Sequence, residues 1–157
     1  IGVWGSSSGG YLGSLLGLIE PGAGFDRGQY LDQSSAVQAV VDMFGPADLT
    51  VFNDSAPFGR FMVQVMIGSN RVLRRSASPI TYVNPSAPPF LILQGNEDRM
   101  VPPHQSADLA QRLRDAGVST TLIEVQGTGH TLDTPGEQPS ASKLTSTVID
   151  FFVARLK

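Results

Sequence analysis

The sequence predicts an α/β fold, a mostly parallel sheet of about four strands flanked by helices, equivalent to half of a doubly wound sheet. Two observations carry that reading. Apolar runs of strand length stand at residues 1–4, 39–44, 90–94 and 121–125, near-continuous rather than alternating, as strands buried on both faces are. Between them lie helical patterns or long connections, the alternation that lets one parallel strand cross over to the next.

The first apolar run, Ile1-Gly2-Val3-Trp4, leads through Gly5-Ser6-Ser7-Ser8-Gly9 into a small-residue helical run that begins at Gly10. Leu12, Leu15, Leu16 and Ile19 recur there at helical spacing, and Gly13 and Gly17 allow that helix to pack closely on a sheet. A helix over 105–116 has Pro102 and Pro103 at its entrance, an apolar face of Leu109, Ala110 and Leu113, and Gly117 as its stop. The last helix, over 142–156, gathers Leu144, Val148, Ile149, Phe152, Val153 and Leu156 on one face. Residues 45–82 are irregular, with Phe52, Phe58, Phe61, Met62 and Met66 in a segment of partly helical period. This stretch reads as a cap-like insertion in which Phe58 and Met62 line an acyl or aryl pocket. The alternative is that these side chains form the core of a connecting helix.

Composition narrows the function. A chain of 157 residues is one domain's worth, long enough to bury about 70% of its unfolded surface. At 41% hydrophobic, 16% charged and net charge −3, without a basic stripe, it has the character of an ordinary soluble protein and gives no electrostatic case for nucleic acid or an anionic membrane. No cysteine is present, which excludes disulfides, thiolate metal sites and a cysteine nucleophile. No apolar run reaches the length of a membrane span. The two histidines and scattered acids show no metal-ligand spacing, so neither a metal nor an organic cofactor is expected. The chain opens on Ile1 in what reads as a buried central strand, which implies that the N-terminal part of a larger protein is missing. Localisation is not legible without that part.

The pentapeptide Gly5-Ser6-Ser7-Ser8-Gly9 has the pattern of a nucleophile elbow, a strand-turn-helix so tight that both of its ends are expected to be glycine for want of space. Ser7 is the candidate nucleophile. The backbone N–H of Ser8, at the positive end of the following helix, would face a developing oxyanion. A serine hydroxyl needs a base, and the base needs an orienting carboxylate. His130, in Gly127-Thr128-Gly129-His130, lies on a loop just past the fourth run, at the edge of the sheet where Ser7 emerges. His104 stands at a proline-rich helix entrance and reads as a surface residue. For the carboxylate, Asp98 follows the third run in Gln94-Gly95-Asn96-Glu97-Asp98 and is preferred over the adjacent Glu97 and over Asp42, Glu124 and Asp133. Asp42 reads instead as the organiser of the Gly45-Pro46 turn.

Five segments taken together, Val3-Trp4-Gly5-Ser6-Ser7-Ser8-Gly9-Gly10, Val41-Asp42-Met43-Phe44-Gly45-Pro46-Ala47-Asp48-Leu49, Ser78-Pro79-Ile80-Thr81-Tyr82-Val83, Pro88-Pro89-Phe90-Leu91-Ile92-Leu93-Gln94-Gly95-Asn96-Glu97-Asp98 and Gly127-Thr128-Gly129-His130, resemble bacterial esterases of the α/β-hydrolase superfamily. The likeness is in particular to feruloyl-esterase-like carboxylesterases and covers nearly the whole chain in order. It implies an eight-stranded fold of which this chain carries the C-terminal half, a partial catalytic domain over 1–157. It also implies a Ser-Asp-His triad of Ser7, Asp98 and His130, and a small-molecule or carbohydrate-linked ester as substrate. Prolyl-oligopeptidase-type serine peptidases are similar over the same half, and a non-catalytic hydrolase-fold fragment is the third reading. Two departures stand out: Ser8 where alanine is frequent and Gln94 where histidine is frequent. Neither is expected to touch the proton relay. The glycine-rich loop that supplies a second oxyanion donor in that superfamily is absent from this sequence, and one lost donor costs about 10² to 10³ in rate. The expectation is therefore an active parent esterase whose 157 residues alone are poorly soluble and nearly inactive, with the first strand left as an exposed apolar edge.

Overall fold

A computed structural model describes residues 1–52 and 56–156. The elements run β1 (Gly2–Ser6), α1 (Ser8–Leu18), β2 (Ala39–Met43), α2 (Pro57–Ile67), α3 (Arg71–Ser76), a short 3₁₀ turn (Pro79–Tyr82), β3 (Phe90–Gly95), α4 (His104–Asp115), β4 (Thr120–Val125) and α5 (Ala141–Arg155). The four strands form one sheet in the order β1-β2-β3-β4. All three pairings are parallel. The predicted α/β class and all four predicted strands are therefore present.

Alternation along β2 and β3 sends successive side chains to opposite faces. Val40, Phe90 and Ile92 join Leu18 of α1 and Leu109, Ala110 and Leu113 of α4 in one core. Val41, Leu91 and Leu93 join Val125 and, from α5, Leu144 and Val148 in the other. Being buried on both faces is what gives these strands their unbroken apolar sequence. The glycines of α1 do what their spacing predicted, since a Cβ on Gly17 would run into Val40 and one on Gly13 would lie 3.3 Å from Val3.

β1 stands first in the sheet order. It pairs with β2 on one side and with nothing on the other among the described residues, and Trp4 is 52% exposed. An apolar run records that a strand is suited to burial, not which neighbour buries it. β1 also extends past the apolar run, because Gly5 and Ser6 keep register with Asp42 and Met43.

Within 45–82, α2 starts with Pro57 in its first turn and stops at Gly68, whose φ of 78° suits a residue without a Cβ. Asn70 then caps α3 by accepting from the N–H groups of Val72 and Leu73. α3 buries none of its residues, so no apolar stripe announced it in the sequence. Residues 53–55 of this segment lie outside the described residues.

Leu109 is fully buried between α4 and the sheet. Leu109→Ala is expected to lower the unfolding free energy by about 2–5 kcal/mol, read from the midpoint of urea denaturation at unchanged slope.

Candidate active site

β1 ends at Ser6 and α1 opens at Ser8, so one residue makes the whole turn. That residue, Ser7, has φ 53° and ψ −119°, a backbone state that costs a non-glycine residue about 1–3 kcal/mol. It is held there by its own N–H, which donates to the Met43 carbonyl at 2.8 Å, and by its carbonyl, which accepts from the Tyr11 N–H at 3.0 Å. A Cβ on Gly5 would collide with the Gly9 carbonyl, so the first glycine of the pentapeptide is demanded by space. The last is not. A Cβ on Gly9 would meet nothing within 4 Å, whereas one on Gly10 would strike Asp42 Oδ1. The tight approach is thus between Gly5, Gly10 and the end of β2.

Asp42 does organise the turn after β2: its Oδ1 accepts from the Gly45 N–H at 2.8 Å and its Oδ2 from the Ser14 hydroxyl at 3.0 Å. Burial pushes this carboxyl up from 3.8 to about 6, with the hydrogen bonds from Ser14 and Gly45 opposing the shift. One buried side chain therefore ties α1 to the loop beyond β2.

His130 arrives from the loop after β4. Its Nε2 lies 2.8 Å from Ser7 Oγ and its Nδ1 2.7 Å from Asp98 Oδ2. With Nδ1–H donating to the carboxylate, Nε2 is left to accept from the serine hydroxyl. The Asp98 side chain is wholly buried and that of His130 is 17% exposed. Asp98 Oδ1 accepts from the N–H groups of Met100 at 2.8 Å and Val101 at 2.9 Å. The two loops are laced together: Glu97 N–H donates to the Thr128 carbonyl, Asn96 Nδ2 to Gln126 Oε1, and Gly127 N–H to Asn96 Oδ1. Gly95 lets them approach, since a Cβ there would collide with the Gly129 carbonyl.

The three residues singled out as a relay are thus brought together, while His104 opens α4 and Glu124 pairs within β4. Neither they nor Asp133 hydrogen-bond to the relay among the described residues. One expectation is corrected. Gln94 does touch the relay, with its Nε2 3.3 Å from Asp98 Oδ2, the oxygen that faces His130. Sequence reasoning also missed Phe44, whose ring lies 4.6 Å from the imidazole centroid and whose φ is 45°. The available signal was a bulky apolar residue at a strand end, directly before Gly45-Pro46.

A pocket of about 220 Å³ opens beside Ser7 and Ser8, lined by Tyr11, Phe52, Phe58, Met62 and Met66 among others. Phe58 and Met62 stand on the wall of this pocket and are half-exposed. The Tyr11 hydroxyl donates to the Ala77 carbonyl at 2.8 Å, and burial followed by the neighbouring Tyr82 raises its pKa, so it lines the pocket as a neutral phenol. Among the described residues no three His, Asp or Glu side chains are grouped closely enough to hold a metal ion, and no helix is long and apolar enough to cross a membrane.

A parallel sheet that carries a strained serine on a strand-to-helix elbow, with the acid after one strand and the histidine after the next, is the α/β-hydrolase architecture. The chain belongs to the BD-FAE family, whose model matches residues 1–113. It is 34% identical to Esterase LipQ of Mycobacterium tuberculosis over 137 residues, covering 83% of this chain and 32% of that protein. It is 29% identical over 163 aligned positions to the probable carboxylic ester hydrolase LipM of the same organism, covering 99% of this chain and 37% of LipM. A solved structure, a truncated form of a carbohydrate esterase from gut microbiota, superposes with a TM-score of 0.77 at 32% identity, covering 98% of this chain and 59% of that one. The chain thus spans about a third of the length of the curated relatives it matches.

Because Asp42 keeps its proton to higher pH in the folded state than in the unfolded one, its contribution to folding stability falls as pH rises from 3.8 to about 6 and is flat beyond. Asn at this position retains an acceptor for Gly45 and a donor for Ser14 without the charge. The stability of Asp42→Asn relative to the unmodified protein is expected to grow by roughly 3 kcal/mol across that window, measured by denaturant unfolding at a series of pH values.

Proposed function

We propose that the protein carrying this chain is a serine carboxylic-ester hydrolase that works through an acyl-enzyme. The observation that carries the reading is the continuous relay from Ser7 Oγ to His130 Nε2 at 2.8 Å and from His130 Nδ1 to Asp98 Oδ2 at 2.7 Å, beneath an apolar pocket. The esterase names of its relatives support the same reaction.

Ser7 attacks the ester carbonyl while His130 takes its proton; Asp98 holds the imidazole in the tautomer that leaves Nε2 free to accept and stabilises the imidazolium that forms. His130 then gives the proton to the departing alcohol. Water, deprotonated by the same imidazole, attacks the acyl carbonyl and releases the acid with Ser7 restored. The oxyanion is met by the N–H of Ser8, which opens α1 and so has no partner four residues back within the helix. Segment 45–82 acts as a cap, its Phe58 and Met62 receiving the acyl group. At about 220 Å³ the pocket is smaller than the ~300–1,000 Å³ of a drug-sized site, which suits a small-molecule or carbohydrate-linked ester with a compact apolar acyl group.

With the protein expressed from its complete open reading frame, a fluorophosphonate probe is expected to label Ser7, and Ser7→Ala to abolish labelling. His130→Ala is expected to lower kcat for a p-nitrophenyl ester by about 10⁴-fold or more, and His104→Ala to leave it unchanged. Equal losses from both histidine changes would overturn the assignment, and turnover of peptides in place of esters would make the protein a peptidase. Phe58→Ala and Met62→Ala enlarge the pocket and are expected to shift the kcat/KM ratio toward longer acyl chains, by about threefold to fourfold per methylene newly accommodated, across a series of p-nitrophenyl esters.

A further inference from the structure

We infer that Gln94, anchored by Ser106, is a positioning residue that holds the Asp98 carboxylate toward His130; the inference rests on the relay proposed above. Gln94 is fully buried near the end of β3, and Ser106 on α4 is buried behind it. Gln94 Oε1 accepts from the Ser106 hydroxyl at 2.7 Å. Its Nε2 faces three oxygens, the Gly95 carbonyl at 3.1 Å, Asp98 Oδ2 at 3.3 Å and the Val101 carbonyl at 3.3 Å. Carbonyls and a carboxylate only accept, so the amide can point one way. In that orientation Gln94 Oε1 is satisfied from the far side by the Ser106 hydroxyl.

The consequence concerns the second oxygen of the acid. The N–H groups of Met100 and Val101 fix Oδ1 from the turn itself, but Oδ2 is met by His130 and by Gln94. His130 is the group to be oriented and sits on a loop. Gln94 belongs to a strand paired on both sides, so it carries the rigidity of the sheet to the acid. Asp98 is the one ionisable side chain hydrogen-bonded to Gln94 among the described residues, with His130 one bond further on. An amide does this without charge at any working pH, where a carboxyl or an imidazole in its place would add a titration of its own.

The test uses the protein from its complete open reading frame, with kcat and KM for a p-nitrophenyl ester across pH and the ring titration of His130 followed by NMR. Gln94→Leu removes the donor and is expected to lower kcat by about 3- to 10-fold with KM unchanged. Gln94→Glu sets a second carboxyl against Asp98. Burial and the neighbouring Asp98 carboxylate hold the proton on the new carboxyl, so while protonated it donates to Asp98 Oδ2 in place of the amide, and its ionisation at higher pH is expected to add a step to both the kcat/KM profile and the His130 titration that the unmodified protein lacks. Ser106→Ala frees the anchor while keeping Gln94, and is expected to lower kcat in the same way by about 2- to 5-fold. It carries the test should either Gln94 variant fail to fold. A Gln94→Leu or Ser106→Ala protein with kcat within twofold of the unmodified one, or a Gln94→Glu protein whose kcat/KM profile and His130 titration gain no added step, overturns the inference. If the unmodified protein turns over no ester, the esterase reading fails on its own, and the NMR titration still decides whether Gln94 governs the Asp98–His130 pair.

Discussion

The site depends on a hydrogen-bond ladder that continues one residue beyond the carboxyl end of three of the strands. Ser7 N–H donates to the Met43 carbonyl, Phe44 N–H to the Leu93 carbonyl and Asn96 N–H to the Val125 carbonyl. Each of these bonds pins the first residue of a functional loop to the neighbouring strand. Ser7 and Phe44 are both held at positive φ, at about 1–3 kcal/mol apiece, and the ladder together with the packed faces of the sheet is what sustains that strain. Loosening β2 from β1 would release the serine, and loosening it from β3 would release the Phe44 ring that rests on the imidazole.

Asp42 adds a second cost in the same place. Its carboxyl is buried with two hydrogen bonds, which are insufficient to offset desolvation. What it provides is position: Gly10 and Gly45 each approach Asp42 Oδ1 so closely that a Cβ on either would collide with it, and Ser14 reaches it from the next turn of α1. The elbow is therefore clamped from below by a group that is unfavourable for stability above pH 6. A site that keeps such a group trades free energy for the fixed direction of one hydroxyl.

The sheet and the relay were legible because their causes are local. Strands buried on both faces must be apolar throughout, and the loops that carry Asp98 and His130 begin where those runs end. The two loops then meet at glycines, since a Cβ on Gly95 would collide with the Gly129 carbonyl. What failed depends on contacts across the chain. Gly9 has the identity that an elbow pattern expects, yet the crowding falls on Gly10, because Asp42 comes from 32 residues away in sequence. Gln94 looked like a harmless departure because nothing in the sequence says that its amide reaches forward to residue 98 while Ser106 holds it from behind. α3 was invisible for a plainer reason, that it buries nothing.

Met100 and Val101 join the relay to the pocket. Their backbone N–H groups hold Asp98 Oδ1, and both residues also line the apolar pocket beside Ser7. From the other side Gly59 of α2 lies so close to the Met100 carbonyl that a Cβ there would collide with it. The wall of the pocket and the support of the acid are thus one stretch of chain, and a change that moves this backbone alters both. Phe58 and Met62 line the same pocket from α2 without a hydrogen bond to any member of the relay. The pocket can therefore be reshaped from the helix side while the acid stays fixed, which separates the residues that set pocket shape from those that hold Ser7, Asp98 and His130 in line.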